Sequence, residues 1–531
     1  MKKLSLFIIL GLLLVGLFAF SSSAKTPKDN LIIGMDTGVI VDLDPARAYE
    51  MVTNLVIEQL YDGLVDFEGG KDAFTTIEPG LAKSWDVSED GLTWTFHLRE
   101  GAKFHSGNEV TADAVVYSFK RSLELDFAPI WMVDQFIPAP ENVKKVDKYT
   151  VSITTNTPLP EGLMAAIMGI QGPCFIVDPE VVEEHSTEDD PYAYEWLQDH
   201  DAGSGPFELV EWARNERVTL RAFEDYWEGA PKLNQITIID MPERTAQKFA
   251  LDRGDIDVAW DLLPEQVDEY RDKEGFELIE QPAWQITYLA MNMGHDILGD
   301  NKVRKAIKYA IDYEAIIDGI MKGAAVKGQT FVPVGMAGHL DEIMYERDVE
   351  KAKELLEEAG YPDGFEIQIL CQPTSPRKEI ATQIQNDLAD VGIKANITQL
   401  VASQMYTLYR NQTHELIVAG WGIDYADAQS LTMPFAHCRT AGPEAKVRQL
   451  AWRNMAVNPE LTDLVEKANK EMDQEKRIEM FKEIQQEVLE WGPFAILYYP
   501  LHQVVHKDIV EGLKIPPSES AAEWFEVYKT E

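Results

Sequence analysis

The chain has 531 residues, a formal net charge of −42 and three cysteines. Such acidity repels the phosphates of nucleic acid and disfavours anionic lipid surfaces. Three cysteines allow at most one internal disulfide, so stability must come mainly from a hydrophobic core. At about 150 residues per domain the length points to roughly three domains.

The first residues read as an export signal. Lys2 and Lys3 precede an apolar run over 4–20, and Ser22-Ser23-Ala24 supplies the small residues of a cleavage site. A secretory signal peptide over 1–24, cut after Ala24, fits this pattern better than an uncleaved anchor. No cysteine stands at the cut for a lipid, and no later segment is apolar enough to span a bilayer. The expected location is periplasmic or otherwise extracytoplasmic.

Downstream, "EDGLTWTFHLREGAKF" predicts a hairpin. Glu89-Asp90-Gly91 turns the chain, and Leu92, Trp94, Phe96 and Leu98 alternate toward a core. Thr111 is placed as a helix N-cap with Asp113 at the positive end of that helix. "YTVSITT", "RVTLRAF" and "QITIID" read as strands, and the glycines of "GSGPF" as structural. "NKVRKAIKYAIDYEAIIDGI" puts Val303, Ala306, Ala310, Ile311 and Ile317 near one helical face. "RDVEKAKELLEEAGYPDGF" does the same, with Asp348 as cap, Gly360 as stop and Pro362 forbidding continuation.

"FEIQIL" and "IKANITQL" are again strand-like, and 416–419 form the short apolar run of a buried strand. Two helices follow in "LTDLVEKANKEMDQEKRIEMFKEIQQEVLEW", then a strand in "FAILYY". The mixture predicts an α/β protein with no internal repeat and no low-complexity linker.

Signals of catalysis are wanting, so no catalytic residue and no cofactor is assigned. There is no G-x-S-x-G elbow and no phosphate-cradling G-x-x-x-x-G-K loop. "HELIV" begins like a zinc-protease helix, but Val418 stands where the second histidine belongs. His502 and His506 lie on a strand with no nearby acid, so no metal site is assigned there. "GDID", 254–257, reads as a solvated turn rather than a carboxylate pair.

A succession of phrases carries a family likeness. They are "DLDPA" (42–46), "QLYDGLV" (59–65), "PGLAKSWDVSEDGLTWTFHLREGAKFHSGNEVTADAVVYSFKR" (79–121), "GSGPFELVEW" (203–212), "NKVRKAIKYAIDYEAI" (301–316) and "KAKELLEEAGYPDGF" (351–365). In this order they resemble the extracytoplasmic solute-binding proteins of peptide and nickel ABC importers, family 5.

The resemblance implies a periplasmic-binding-protein clam of two lobes and three domains. Residues 25–70, 201–285 and 499–531 would form a discontinuous first domain, 71–200 an inserted second, and 286–498 the second lobe. Strands near "WQITYLAMN" and "FAILYYP" would be the hinge, with lobe closure around a ligand. It also implies a monomer that hands a short peptide to an inner-membrane ABC permease. The alternatives are an oligosaccharide or nickel chelate on the same fold, a secreted hydrolase, or a peptide chaperone.

The likeness also suggests site residues. An acid in the family's W-x-x-D-Y segment accepts the ligand's α-ammonium, and Asp424, between Trp421 and Tyr425, matches it. The alternative for Asp424 is a turn-capping side chain. Asp427 reads as a helix cap, followed by Ala428 where the family usually has proline. Arg377 lies near the position of a carboxylate-binding arginine, or is a solvated charge at a helix start. Tyr288, Asn292 and Tyr49 fall where cleft-lining residues are expected. Cys438 sits where relatives place half of a disulfide, without a second cysteine after it, so its loop must be held otherwise.

Overall fold

A computed structural model describes residues 26–67, 77–170, 172–517 and 524–530. The signal-peptide reading of 1–24 lies outside the described residues. Among those described, no helix is long and apolar enough to cross a membrane.

The larger strands, in chain order, are β1 (Asn30–Met35), β2 (Ala82–Val87), β3 (Thr93–Leu98), β4 (Val143–Asp147), β5 (Thr150–Thr154), β6 (Phe207–Ala213), β7 (Arg217–Ala222) and β8 (Gln235–Asp240). There follow β9 (Val258–Ala259), β10 (Phe276–Pro282), β11 (Gln285–Met291), β12 (Glu366–Cys371), β13 (Lys394–Gln399), β14 (Leu416–Gly422) and β15 (Phe494–Lys507). The helices that matter here are α1 (Met51–Leu60), α2 (Ala112–Leu125), α3 (Asn301–Ala310), α4 (Val349–Glu358), α5 (Arg377–Asp390), α6 (Gln429–Ala436), α7 (Pro459–Ala468) and α8 (Gln474–Trp491).

The hairpin forms as its alternation dictates. Trp94, Phe96 and Leu98 of β3 are buried and pack with Val115 and Phe119 of α2. The turn is closed by Gly91 N donating to Ser88 O, with Gly91 at φ +70°, a value that costs glycine little. β2, β3, β5 and β4 make a separate four-stranded antiparallel sheet.

Most of the other strands join one twelve-stranded sheet, whose main path runs β13-β12-β14-β11-β15-β9-β1-β8-β7-β6. β15 spans both ends of it. Residues 494–498 pair with β11, and 501–507 pair with β10. The chain makes the same crossing at 282–285, beside the first, with Pro282 opposite Leu501. Two lobes therefore share two adjacent crossing strands.

In the second lobe both faces of the sheet are covered. Leu289, Leu416 and Val418 pack under α3, α4 and α5. Tyr288, Ile417 and Ala419, one step out of phase, pack under α6, α7 and α8. Asp348 caps α4 by accepting from Lys351 N at 2.9 Å, and Gly360 follows at φ +88°.

Three local expectations need correction. Residues 301–320 do not form one helical run: α3 stops at Ala310, Ile311 is extended, and 315–320 wind as a π-helix. Asp312 enforces the break, because its amide donates to Asp387 and its own carboxylate accepts from Ala315 N. Thr111 occupies the N-cap of α2, but its hydroxyl makes no cap bond. The "GDID" segment is not a solvated turn, since Asp257 is fully buried between Lys507 (3.1 Å) and Lys529 (2.9 Å). The three cysteines are buried and unpaired. The Cys438 loop is held by Thr462, whose hydroxyl accepts from Cys438 N at 3.2 Å, and by packing on Ala451 and Trp452.

Candidate functional site

β14 carries its apolar run into the core and then leaves one edge open. β11 pairs with all of it, Leu416 through Gly422. β12 pairs on the other side only with Leu416 and Ile417. Asn292 N donates to Glu415 O, and Ile423 N to Trp284 O, so odd-numbered residues of this segment direct their polar groups at β11. By alternation, Gly420 and Gly422 turn N–H and C=O toward the open edge. An unpaired strand edge is a template for another chain.

That edge borders a cavity of about 720 Å³ between the lobes. Gly420, Trp421, Gly422 and Asp424 line one side, and Val39, Tyr49, Met51 and Asn54 the other, with Met132 and Ile170 at one end. Most of the wall is apolar, and its charged residues, Glu50 and Asp424, are both acids.

Asp424 follows the strand directly. Its Oδ1 is 3.5 Å from the Tyr49 hydroxyl across the cleft, a long contact. Among the described residues no cation stands within ion-pair distance of it, and no backbone amide bonds to it. Burial therefore dominates, pushing its pKa up to about 7 against the small opposing effect of Tyr49. Tyr49 itself, 51% exposed, is raised to about 12 by desolvation and by the neighbouring acid. The absence of backbone partners weighs against a capping role for Asp424.

Trp421 lies on the opposite face of β14, its buried Nε1 lacking a partner among the described residues, with the Arg453 guanidinium 5.8 Å from its ring. Arg377, at the start of α5, covers the face bearing Gly420. Its Nη1 donates to Ala419 O at 2.8 Å and Thr287 Oγ1 at 3.2 Å. A Cβ on Gly420 would lie 2.3 Å from Arg377 Nη2, so only glycine lets the guanidinium approach. Arg377 has no carboxylate partner among the described residues. The site thus holds an acid without a base and, close by, a base without an acid.

The remaining expected residues are placed elsewhere, and their assignment as cleft lining is corrected. Tyr288 is fully buried, edge-on to Phe435 and Phe494, because even-numbered positions of β11 face α6 and α8. Thr287, its neighbour, faces Arg377 instead. Asn292 is buried and donates to the carbonyls of Gln412 (2.9 Å) and His414 (2.8 Å), which makes it a loop clamp. Tyr425 is buried too. Its ring joins the core of the four-stranded-sheet region, across the lobe boundary, and its hydroxyl donates to Gln429 at 2.6 Å.

Asp427 does cap α6, accepting from Gln429 N at 2.8 Å, and also binds Arg477 through both oxygens at 2.6 and 2.7 Å. The sequence reading missed Asn54, whose buried Oδ1 is unpartnered among the described residues and which lines the cavity. A single asparagine in a helix carries no signal of its own.

Comparison with known proteins places these features. Residues 76–443 match the model of the bacterial extracellular solute-binding proteins, family 5 Middle. A heme-binding protein A of Haemophilus influenzae is 30% identical over 492 residues, covering 87% of this chain and 86% of that protein. A dipeptide-binding protein of Escherichia coli is 29% identical over 481 residues, covering 86% and 87%. Among solved structures, HbpA2 from Haemophilus parasuis superposes with a TM-score of 0.83 at 24% identity, over 94% of this chain and all of that one. A periplasmic binding protein from Helicobacter pylori, solved with the peptide STSA, gives 0.76 at 27% identity over 94% and 98%.

Proposed function

The chain belongs to family 5 of the bacterial extracellular solute-binding proteins, and we propose that it captures short peptides between its lobes and delivers them to an ABC permease. Relatives bind ligands as different as heme and dipeptides, so kinship alone does not choose the ligand. The observation that carries the choice is the open edge at Gly420 and Gly422 ending in Asp424, which has no cation beside it among the described residues.

An extended peptide would add to that edge as a strand. Main-chain hydrogen bonds supply affinity there whatever the side chains, because backbone donors and acceptors do not vary. Asp424 would take the α-ammonium, since charge-assisted hydrogen bonds are short and strong in a closed site. Arg377, held over Gly420, would meet the carboxylate of a short ligand. The apolar wall formed by Val39, Met51 and Ile170 accepts side chains without specifying them. No step of this needs bond making, so the ligand leaves as it arrived. Export through the 1–24 signal would place the protein outside the cytoplasmic membrane, where such a permease draws its cargo.

The test is a four-way calorimetric comparison of wild type and Asp424→Ala with free-amine and N-acetylated peptide. Removing one member of a buried ion pair costs about 3–5 kcal/mol, which is at least about a hundredfold in affinity. Wild type should prefer the free amine by that factor, and the variant should barely discriminate. A variant that discriminates as wild type does would remove Asp424 from the ligand. A response to sugars alone would remove the peptide.

A further inference from the structure

We propose that the cleft selects peptides with a lysine or arginine among their first two residues, and that Glu50 accepts the basic side chain. The inference rests on the peptide reading above and adds the side-chain class which that reading leaves open.

Two carboxylates line the cavity, and among the described residues no cation lines it to offset them. The ligand's α-ammonium answers Asp424. Glu50 has no such answer. It stands at the N-cap position of α1, where its side chain makes no cap bond, and it forms no ion pair among the described residues. Arg47, the nearest cation along the chain, is engaged elsewhere. Its guanidinium pairs with Asp42 at 3.4 Å and donates to the Tyr194 hydroxyl, and it feels Glu50 only at longer range. A zwitterionic dipeptide brings one ammonium and one carboxylate, which Asp424 and Arg377 balance, so Glu50 is left over. A basic side chain closes that balance, and an acidic one adds a second unanswered anion.

The placement favours the amino end of the ligand. The Tyr49 hydroxyl lies 3.5 Å from Asp424 Oδ1, which sets this stretch of chain opposite the ammonium site. Glu50 follows at once, its Cα about 3.8 Å from that of Tyr49. Val39 and Met51, both exposed, line the same wall. Lysine and arginine lay their methylene stems along such apolar surface and keep the charged head in water. Here the head meets Glu50, which is itself exposed. The net charge of −42 acts in the same direction, since a cleft with apolar walls focuses the field that steers a cationic ligand inward.

Calorimetry on wild type and Glu50→Gln, with Lys-Ala and Ala-Lys against the uncharged Met-Ala and Ala-Met, tests this. An exposed ion pair is worth about threefold to fivefold in affinity. In wild type the better of the two lysine peptides should therefore bind at least about threefold more tightly than its methionine counterpart. In Glu50→Gln that ratio should fall to about one, and apo melting should match wild type because no cap bond is lost. In 1 M salt, where the screening length is about 3 Å, the wild-type ratio should also shrink toward one. Equal affinities for lysine and methionine peptides in wild type would overturn the proposal and leave the peptide reading intact. So would a lysine preference that survives in Glu50→Gln. Wild type binding none of these peptides would overturn both.

Discussion

Ligand capture should expel a proton. Asp424 has its pKa raised from 3.8 to about 7 by burial, and among the described residues no cation stands near enough to pull it down. An arriving α-ammonium favours the ionised form, so binding drives off whatever proton the acid holds. With that pKa, the empty site is about 50% protonated at pH 7 and about 90% at pH 6. Binding should then release about 0.5 proton at pH 7 and about 0.9 at pH 6, and affinity should fall about fiftyfold from pH 7 to pH 5. Among the described residues no histidine lines the cavity to confuse the signal. Calorimetry in buffers of different ionisation enthalpy reads the proton count directly. Asp424→Asn should bind more weakly and release none. The sign for the empty protein is opposite. Because the folded pKa is raised, Asp424 contributes stability that is fully present below pH 3.8 and lost as pH rises through about 7. Melting of the ligand-free protein should show this, and Asp424→Asn should make the fall shallower without abolishing it, because burial also raises Asp42 to about 6 and Asp62 to about 7. Release below about 0.1 proton at pH 6, with binding intact, would refute the reasoning.

Three other consequences are simpler. Arg477→Met should strand buried Asp427 without its partner, lowering stability by about 3–5 kcal/mol in urea unfolding. Gly420→Ala should displace the Arg377 guanidinium, so affinity for dipeptides should fall about tenfold, and less for dipeptides amidated at the carboxyl end, as read by calorimetry. The three buried free thiols should leave the melting temperature unchanged by reductant, and mass spectrometry should find them alkylated only after denaturation.

What could be read along the chain was what local spacing controls. The β3 alternation, the Asp348 cap and the α7–α8 pair all depend on neighbours within a few residues. Asp427 was legible as a cap for the same reason, while its second partner, Arg477, lies fifty residues on. Asp257 looked like part of a turn because its two lysines come from the far end of the chain. Tyr288 was misplaced because both faces of that sheet are covered by helices. A strand buried on both sides has no polar face to set its phase. The open edge at Gly420 and Gly422 exists only because β12 stops pairing at Ile417, a fact of the sheet and not of the segment.

The same geometry links capture to closure. Tyr425 reaches into the other lobe's core and Tyr49 faces Asp424, so the described state is one with the lobes together. Bringing them together without ligand takes the Asp424 carboxylate out of water, a cost expressed in its raised pKa. A ligand shifts the lobes only by its differential affinity for the closed form. Turning a population from 1:99 to 99:1 needs about 5.5 kcal/mol of such difference. The ammonium contact, as a hydrogen bond between charged groups, supplies about 1.5–3 kcal/mol, which falls short alone. Backbone hydrogen bonds at Gly420 and Gly422, at about 0.5–1.5 kcal/mol each, make up the rest. An isolated amine therefore lacks the backbone that completes closure, and an acetylated peptide lacks the charge. A free-amine peptide has both, so the acid and the open edge select it together rather than separately.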